Sequence, residues 1–269
     1  MLQQYPVDEL QRIVTGIARA ELLPRFADVA RTHKRDGSVM TEADLIVQHE
    51  IGAALSARWP DVSLLGEEMT ADQQGALLAD GRPVWLLDPL DGTSNFAAGV
   101  PFFSTSLALL ENGRIALGIV YDPVRDECFT AVRDRGAFLN GEKLHARATG
   151  LSLQQSIGLI DFKRLPRDLA TRLAGSPPYA SQRSFGSIAL DWCWIAAQRA
   201  HVYLHGNQNI WDYAAGCLIL QEAGGHSVTL AGDGVFVNSL SRRSAVAAAD
   251  GQLFGEWLAW LGITPTSAR

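Results

Sequence analysis

Apolar residues recur along this chain with two spacings, one typical of helices and the other typical of strands. The helical spacing after Pro6 predicts an opening amphipathic helix that is kinked or ends near Pro24, and a second helix is predicted to end near residue 57. Short apolar runs at 62–65 and 84–87 predict strands, and the second run is typical of a strand buried on both faces. The hydrophobic pattern therefore indicates a protein of the α/β (α+β) class.

The order of predicted strands and helices changes near residue 150. Before it, β-rich runs at 102–110, 114–121 and 127–132 are separated by turn residues and predict an antiparallel meander. From residue 156 onwards, short strands alternate with helices. We therefore predict an N-terminal α+β half at 1–150, which carries the acidic motifs for a metal, and a C-terminal α/β half at 151–269, which completes the site.

Composition and charge narrow the function. The chain has 269 residues, of which 47% are hydrophobic, enough for a sizeable core. The net charge is -6, and basic residues cluster only at 31–35, which argues against a direct nucleic-acid partner or an anionic membrane surface. The 3 cysteines are widely spaced and odd in number, and no run of about 18 apolar residues occurs. We expect a cytoplasmic protein with no membrane span and no disulfide framework.

An acidic loop follows the strand at 84–87. Asp88 and Asp91 lie three positions apart in a tight turn, where like charges repel unless a cation neutralises them. Gly92 lets the backbone approach a ligand, and Thr93 can start a short helix whose N–H groups attract an anion. The alternative is a simple turn, since these residue types are common in turns. The whole stretch favours adjacent metal and phosphate sites and hence phosphoryl chemistry.

Four other residues admit both a structural and a functional interpretation. Glu67 follows the strand at 62–65, and if this strand lies parallel to the next one, Glu67 converges with the acidic loop. Asp44 completes a capping box with Thr41 and is equally compatible with catalysis. Asp212 lies in the first turn of a helix, where the dipole favours an acid without any metal. His205 shares a strand face with His201, a weak indication of a metal pair.

Four stretches, taken in order, resemble one family. They are Thr-Glu-Ala-Asp at 41–44, Gly-Glu-Glu at 66–68, Asp-Pro-Leu-Asp-Gly-Thr at 88–93 and Trp-Asp-Tyr-Ala-Ala-Gly at 211–216. Together they resemble the inositol monophosphatases, which are magnesium-dependent, lithium-sensitive phosphatases. The resemblance implies a layered αβαβα sandwich, of the type shared with fructose-1,6-bisphosphatase, and a homodimer.

The resemblance also implies roles for the acidic residues. Two or three Mg²⁺ ions would be held, with Asp88 bridging two of them, by Glu67, Asp88, Asp91, Asp212 and the carbonyl of Leu90. Asp44, Glu67 and Thr93 would be catalytic: Thr93, paired with Asp44, would orient and help deprotonate the attacking water. The N–H groups of Gly92 and Thr93 would hold the phosphate.

The expected substrate is a small polyol or sugar monophosphate, similar to inositol 1-phosphate. Its predicted contacts are Asp91, Ser187, Ile188 and His205, and His205 stands where the resemblance places a glutamate that binds a substrate hydroxyl. Alternatives within the same family are phosphatases of adenosine 3′,5′-bisphosphate or of histidinol phosphate.

Two further alternatives change the mechanism or the class of protein. A haloacid-dehalogenase-type phosphatase would use a covalent aspartate, but two residues rather than one separate Asp88 from Asp91. A regulatory protein could keep the fold and bind a macromolecular partner.

Overall fold

The helices and strands follow the two spacings of apolar residues. The structure is a computed structural model and describes residues 4–28, 32–33 and 39–266. In this part of the chain the helices are α1 (Val7–Leu22), α2 (Glu42–Arg58), α3 (Ala71–Ala79), α4 (Thr93–Ala98), α5 (Arg167–Gly175), α6 (Ile188–Ala196), α7 (Ile210–Glu222) and α8 (Gly251–Leu261). The strands are β1 (Thr32–His33), β2 (Val39–Met40), β3 (Ser63–Gly66), β4 (Val84–Asp91), β5 (Ser104–Glu111), β6 (Arg114–Asp122), β7 (Glu127–Val132), β8 (Gly136–Leu139), β9 (Glu142–Leu144), β10 (Ile157–Asp161), β11 (Ser181–Arg183), β12 (Val202–Gln208), β13 (His226–Val228) and β14 (Arg243–Ala248).

Two large sheets organise the chain. The first has the order β3-β4-β5-β6-β7-β8-β9, and within it only β3 and β4 are parallel to each other. The second has the order β11-β10-β12-β14-β13, in which β10, β11 and β12 are parallel and β14 is antiparallel to both of its neighbours. The antiparallel meander predicted from 102–132 corresponds to β5, β6 and β7.

Helices cover the sheets in alternating layers. α1 and α2 pack on the outer face of the first sheet, and α8 packs on the outer face of the second. α6 and α7 lie between the sheets and contact both. This is the predicted αβαβα sandwich.

Burial explains why the spacings differ among these layers. The outer helix α1 buries Leu10, Val14, Ala18 and Leu22, one stripe at a spacing of four residues, because only one of its sides faces a sheet. The central helix α7 buries nearly every residue, since it has a sheet on each side. Strand β4 is buried along its whole length because α2 covers one face of its sheet and α7 the other, as its continuous apolar run predicted.

The central layer depends on close packing. A Cβ on Gly118 of β6 would lie 2.9 Å from the Cα of Ala215, so a glycine is needed where α7 crosses this strand. In the first turn of α7, the carbonyl of Trp211 accepts a hydrogen bond from the Ser106 hydroxyl of β5 at 3.2 Å, which holds this turn beside the first sheet.

Some predictions lie outside this description. The basic cluster at 31–35 and the turn at 35–38 fall on residues whose side chains the structure does not describe. The division near residue 150 stays a prediction. Among the described residues, no helix is both long enough and apolar enough for a membrane span.

Candidate active site

Parallel pairing brings two of the predicted acids together. β3 and β4 pair from Ser63 with Val84 to Gly66 with Leu87, so Glu67 leaves its strand next to Asp88. The backbone N–H of Glu67 donates to the carbonyl of Leu87 at 3.1 Å and fixes this departure point. The convergence predicted from the carboxyl ends of the two strands is therefore present.

A break in strand pairing turns Asp91 towards the same site as Asp88. Residues three apart in a regular strand point to opposite faces. Here the pairing of β4 with β5 shifts between Asp88 and Asp91, so the intervening backbone bulges. Asp88 Oδ1 accepts a hydrogen bond from the N–H of Leu90 at 3.0 Å, and Thr105 Oγ1 donates to the Pro89 carbonyl at 2.8 Å. These bonds hold the bulge in shape.

Asp91 ties the first sheet to the central helical layer. Its Oδ2 accepts hydrogen bonds from Ser187 Oγ at 2.5 Å and from the N–H of Ala189 at 2.7 Å, both at the start of α6. Burial raises the pKa of Asp91 to about 6, against the opposing effect of these hydrogen bonds and with a further rise from Glu67. Ser187 is thus a direct support of the acidic site.

Asp212 reaches the site from the second sheet. β12 leads into α7, and Asn209 caps this helix in a capping box in which Asp212 Oδ2 accepts the N–H of Asn209 at 2.8 Å. Burial, and then Glu67 and Asp91, raise the pKa of Asp212 well above its usual value. Asp212 therefore supports the start of α7 and also belongs to the acidic cluster, while its role as a metal ligand stays a prediction.

Asp44 and Thr93 form a pair beside the acidic cluster. Asp44 is 1% exposed, and its Oδ2 accepts hydrogen bonds from both the N–H and the hydroxyl of Thr41 at 2.7 Å. The Thr93 hydroxyl lies 3.1 Å from Asp44 Oδ1 and 2.8 Å from the carbonyl of Leu90. Burial raises the pKa of Asp44 to about 6, although the bonds from Thr41 and Thr93 oppose the rise. The capping box and the predicted pair are therefore both present.

A left-handed glycine makes the turn from β4 into α4. Gly92 has a φ of 93°, and a Cβ there would lie 3.0 Å from the carbonyl oxygen of Phe102. Asn95 of α4 donates to the carbonyls of Phe102 and Phe185 at 2.7 and 2.6 Å, which fastens this turn to the segment before α6. The N–H groups of Gly92 and Thr93 lie where the helix begins.

Burial and, after it, mutual repulsion determine the electrostatics of the site. Burial, followed by the charges of Glu67, Asp91, Asp212 and Asp44, raises the pKa of Asp88 well above its usual value. Among the described residues, no three acidic, histidine or cysteine side chains are already arranged around one ion position. The donor chemistry nevertheless fits a hard cation, because buried carboxylates that disfavour one another's charge gain most from a divalent ion with oxygen ligands.

The structure places the predicted substrate contacts at different depths. Ile188 is partly exposed at the start of α6, whereas Ser187 is fully buried and its hydroxyl is engaged by Asp91. His205 is 1% exposed, and its Nδ1 accepts the N–H of Asn207 at 3.2 Å. As substrate contacts, these residues remain predictions.

Sequence reasoning missed two acids near the site. Asp161 ends β10, and its Oδ2 lies 3.1 Å from Nε2 of His205. Asp191 is buried in α6, and burial, then Asp91 and Asp161, raise its pKa well above the usual value. A signal was available for Asp161, because it follows an apolar strand as Glu67 and Asp88 do.

The sandwich and its acidic centre define a class of layered αβαβα proteins whose site lies between two sheets. The sequence profile of the inositol monophosphatase family matches residues 5–260, and the chain belongs to this family. This confirms the resemblance carried by the four motifs, and with it the expected fold.

Individual relatives carry two kinds of name. The Nus factor SuhB of Haemophilus influenzae is 36% identical over 235 residues, which cover 86% of this chain and 85% of the relative. The inositol monophosphatase of Mesembryanthemum crystallinum is 37% identical over 199 residues, which cover 72% and 73% of the two chains. Among solved structures, the extragenic suppressor protein suhB of Bartonella henselae superposes with a TM-score of 0.81 at 27% identity, covering 95% of this chain and 97% of its own. An IMPase of Thermotoga maritima gives a TM-score of 0.78 at 27% identity, with 95% and 99% covered.

Proposed function

We propose that this protein is a Mg²⁺-dependent phosphatase that hydrolyses a small polyol or sugar monophosphate, similar to inositol 1-phosphate. The observation that carries the proposal is the Asp44–Thr93 pair directly beside the buried carboxylates of Asp88, Asp91 and Asp212. A cluster of acids alone binds a cation, whereas a hydroxyl paired with a base of raised pKa adds a group that can take a proton from water.

The residues that would hold Mg²⁺, as two or three ions, are Glu67, Asp88, Asp91, Asp212 and the carbonyl of Leu90. When bound, the ions supply positive charge that stabilises the oxygens around phosphorus and lowers the pKa of water. The buried carboxylates supply the oxygen ligands that Mg²⁺ prefers. Ser187 and Asn209 keep Asp91 and Asp212 oriented through the hydrogen bonds described above.

Proton transfer would run through Thr93. Its hydroxyl lies within hydrogen-bond distance of Asp44 Oδ1, so it can accept a proton from the attacking water while passing its own to Asp44. The water oxygen then forms the new bond to phosphorus as the bond to the ester oxygen breaks, and the departing alcohol takes a proton from solvent. A base with a pKa of about 6 is ionised at neutral pH and ready to receive the proton.

Phosphate binding falls to the start of α4 in this proposal. The N–H groups of Gly92 and Thr93 face no carbonyl of their own helix, since a first helical turn leaves its donors unpaired. We infer that these groups hold the phosphate, and that Ile188 and the segment before it border the alcohol part of the substrate. A lithium-sensitive homodimer, as the family resemblance implies, completes the proposal, and the few, widely spaced cysteines favour a cytoplasmic location.

Phosphate release from a panel of monoesters tests the reaction class. The panel contains inositol 1-phosphate, glycerol 2-phosphate, histidinol phosphate and adenosine 3′,5′-bisphosphate, each with Mg²⁺, with EDTA and with added Li⁺. We expect metal-dependent turnover that Li⁺ inhibits, fastest for a polyol monophosphate, and its abolition in Asp88→Asn. Folded protein that binds Mg²⁺ but releases no phosphate from any of these compounds would contradict the proposal.

A second candidate function is a regulatory one in which the protein binds a macromolecular partner. The observation in its favour is that relatives 36% identical to this chain are named Nus factor SuhB. A tagged protein that captures a stoichiometric partner from its own cell extract, equally well as wild type and as Asp88→Asn, would support this function.

A further inference from the structure

Asp161 of the second sheet lies at the sheet edge that borders the candidate active site. β10, β11 and β12 are parallel, so their carboxyl ends share one edge of the second sheet. The chain leaving β11 reaches Ser187, which holds Asp91, and the chain leaving β12 reaches Asp212. The third strand, β10, ends in Asp161, which the proposed mechanism does not use.

Two neighbours fix the Asp161 carboxylate. Arg164 Nη1 donates to Asp161 Oδ2 at 2.6 Å. His205, the Cα partner of Asp161 on β12, places Nε2 3.1 Å from the same oxygen, somewhat off the ideal hydrogen-bond direction. Because Nδ1 of His205 accepts the N–H of Asn207, the imidazole carries its proton on Nε2, towards the carboxylate. Burial opposes ionisation of Asp161, but His205 and Arg164 together hold its pKa well below the usual range.

The side chains of Arg164, Asp161 and His205 differ in their exposure to solvent. Arg164 is 43% exposed, Asp161 17% and His205 1%. His205 therefore lies beneath the carboxylate, and Asp161 is the member of the pair that a ligand can reach. Among the described residues both contacts fall on Oδ2, which leaves the lone pairs of Oδ1 as acceptors.

Arg164 and Asp161 lie close enough to the buried acids to affect their pKa values. Arg164 lowers the pKa of Asp212, although burial and the acids raise it overall. Burial raises the pKa of the Asp191 carboxyl, and Asp91 and Asp161 each raise it further. Asp161 thus lies at the same edge of the second sheet from which the chain leads to Ser187 and Asp212, because β10, β11 and β12 run parallel and end there.

We propose that Asp161 accepts hydrogen bonds from hydroxyl groups of the substrate's alcohol part, and that His205 and Arg164 are positioning residues that hold its carboxylate for this contact. The inference rests on the proposed phosphatase function and specifies the substrate class. An ionised carboxylate attracts hydroxyl donors and repels a second phosphate. The site should therefore prefer a monophosphate whose alcohol part is an uncharged polyol to a compound that carries a second phosphate.

Substitution of Asp161 by asparagine tests the contact. The amide of Asp161→Asn must turn its oxygen towards the Nε2–H of His205, so that it presents an NH₂ group where the free carboxylate oxygen was. We expect KM for inositol 1-phosphate to rise about ten- to thirtyfold with kcat nearly unchanged, as for the loss of one hydrogen bond to a charged group. KM for phenyl phosphate, which has no aliphatic hydroxyl, should stay within about twofold. Asp168→Asn on α5 is the matched control, since it removes the same charge from an exposed position.

A merely structural ion pair would behave differently. It would change the kinetics of both substrates in the same proportion, and either this result or an unchanged KM for inositol 1-phosphate would overturn the inference. Two variants of the buried partner test positioning: His205→Gln can still donate towards Asp161 and should keep KM near the wild-type value, whereas His205→Leu should raise it as Asp161→Asn does. Equal KM values for these two variants would contradict the positioning role.

Calorimetry separates this inference from the proposed function. Binding of inositol 1-phosphate is measured with Ca²⁺ in place of Mg²⁺, for the wild-type protein and for Asp161→Asn. If the wild-type protein binds the ligand but does not hydrolyse it with Mg²⁺, the phosphatase proposal fails, while about tenfold weaker binding by the variant still supports the Asp161 contact. If the wild-type protein does not bind the ligand, both proposals fail.

Discussion

The hydroxyl of Thr93 lies 3.1 Å from Oδ1 of Asp44, although the two residues are 49 positions apart along the chain. The bulge in β4 and the left-handed turn at Gly92 bring Thr93 to this point, while the cap of α2 holds Asp44. A base held by a helix cap and a hydroxyl held by a strand end are both rigid, which suits a proton relay.

The first prediction concerns the Thr93 hydroxyl. Thr93→Val keeps the shape of the side chain but removes the group that links water to Asp44, so kcat should fall about 10²- to 10⁴-fold. Mg²⁺ affinity, measured by calorimetry, should change far less than kcat, because all proposed ligands remain and only the hydrogen bond from Thr93 to the Leu90 carbonyl is lost. Thr93→Ser keeps the hydroxyl and is the control, with at least a tenth of wild-type kcat expected. If the valine variant kept nearly full kcat, the relay would have to run through another group.

The sequence allowed the acids of β4 to be found, because a continuous apolar run followed by a turn marks the end of a buried strand. Glu67 could be predicted too, since two strands joined by a helix pair in parallel and end at one edge. The Asp44–Thr93 contact depends on how α2 packs against the turn after β4. Local spacing carries no information about that packing, and only the family resemblance suggested the pair.

The second sheet shows the opposite case. β10 pairs with β12, although β11 lies between them in the sequence, so nothing in the local pattern places Asp161 beside His205. The predicted substrate role of His205 came from aligning one position with the family, and the alignment could not show that a carboxylate covers this imidazole. Specificity here depends on strand order, which single-sequence reasoning does not give.

The second prediction concerns the close turn at Gly92. Gly92→Ala should destabilise the fold by about 1 to 3 kcal/mol and lower activity, because it combines a left-handed φ with a Cβ 3.0 Å from the Phe102 carbonyl. Gly113→Ala is the matched control: its φ is 71°, but no atom lies within 4 Å of the added Cβ. Thermal unfolding of both variants separates backbone strain from close approach, and equal losses of stability would contradict the proposed steric role of Phe102.

The third prediction concerns the support of Asp91. Ser187→Ala removes the donor 2.5 Å from Asp91 Oδ2 and leaves the backbone N–H groups of Ala189 and Ile188 to orient this carboxylate. Mg²⁺ affinity should fall about 10- to 100-fold, the usual effect of losing a partner of a metal-binding carboxylate. Ser104→Ala is the control, since Ser104 Oγ lies 3.3 Å from Ser187 Oγ and tests loss of a hydroxyl from the same pocket. Calorimetric titration with Mg²⁺ measures the affinity of each variant. Equal affinities of Ser187→Ala and Ser104→Ala would show that Ser187 does not orient Asp91 for Mg²⁺ binding.

The fourth prediction links Mg²⁺ to stability through pH. Asp44 and Asp91 have a pKa of about 6 in the folded protein, and Asp88 and Asp212 lie well above the usual value, so all four hold protons more tightly when folded than when unfolded. Without metal, stability from these groups is complete below about pH 4 and is lost as pH rises through about 6 and beyond, at a cost of about 1.4 kcal/mol per unit of raised pKa. Mg²⁺ must displace these protons, but it also offsets the repulsion that remains once they have left.

The increase in Tm on adding Mg²⁺ should therefore be small at pH 5 and several degrees larger at pH 8. Differential scanning calorimetry in EDTA and in Mg²⁺ at both pH values measures this difference. Asp88→Asn removes the carboxylate that faces the other acids most directly, so the variant should lose less stability between pH 5 and pH 8 in EDTA and gain less from Mg²⁺ at pH 8. A Tm increase that is the same at both pH values in the wild-type protein would show that Mg²⁺ binds away from these carboxylates, because only a site that exchanges protons for metal couples the two effects.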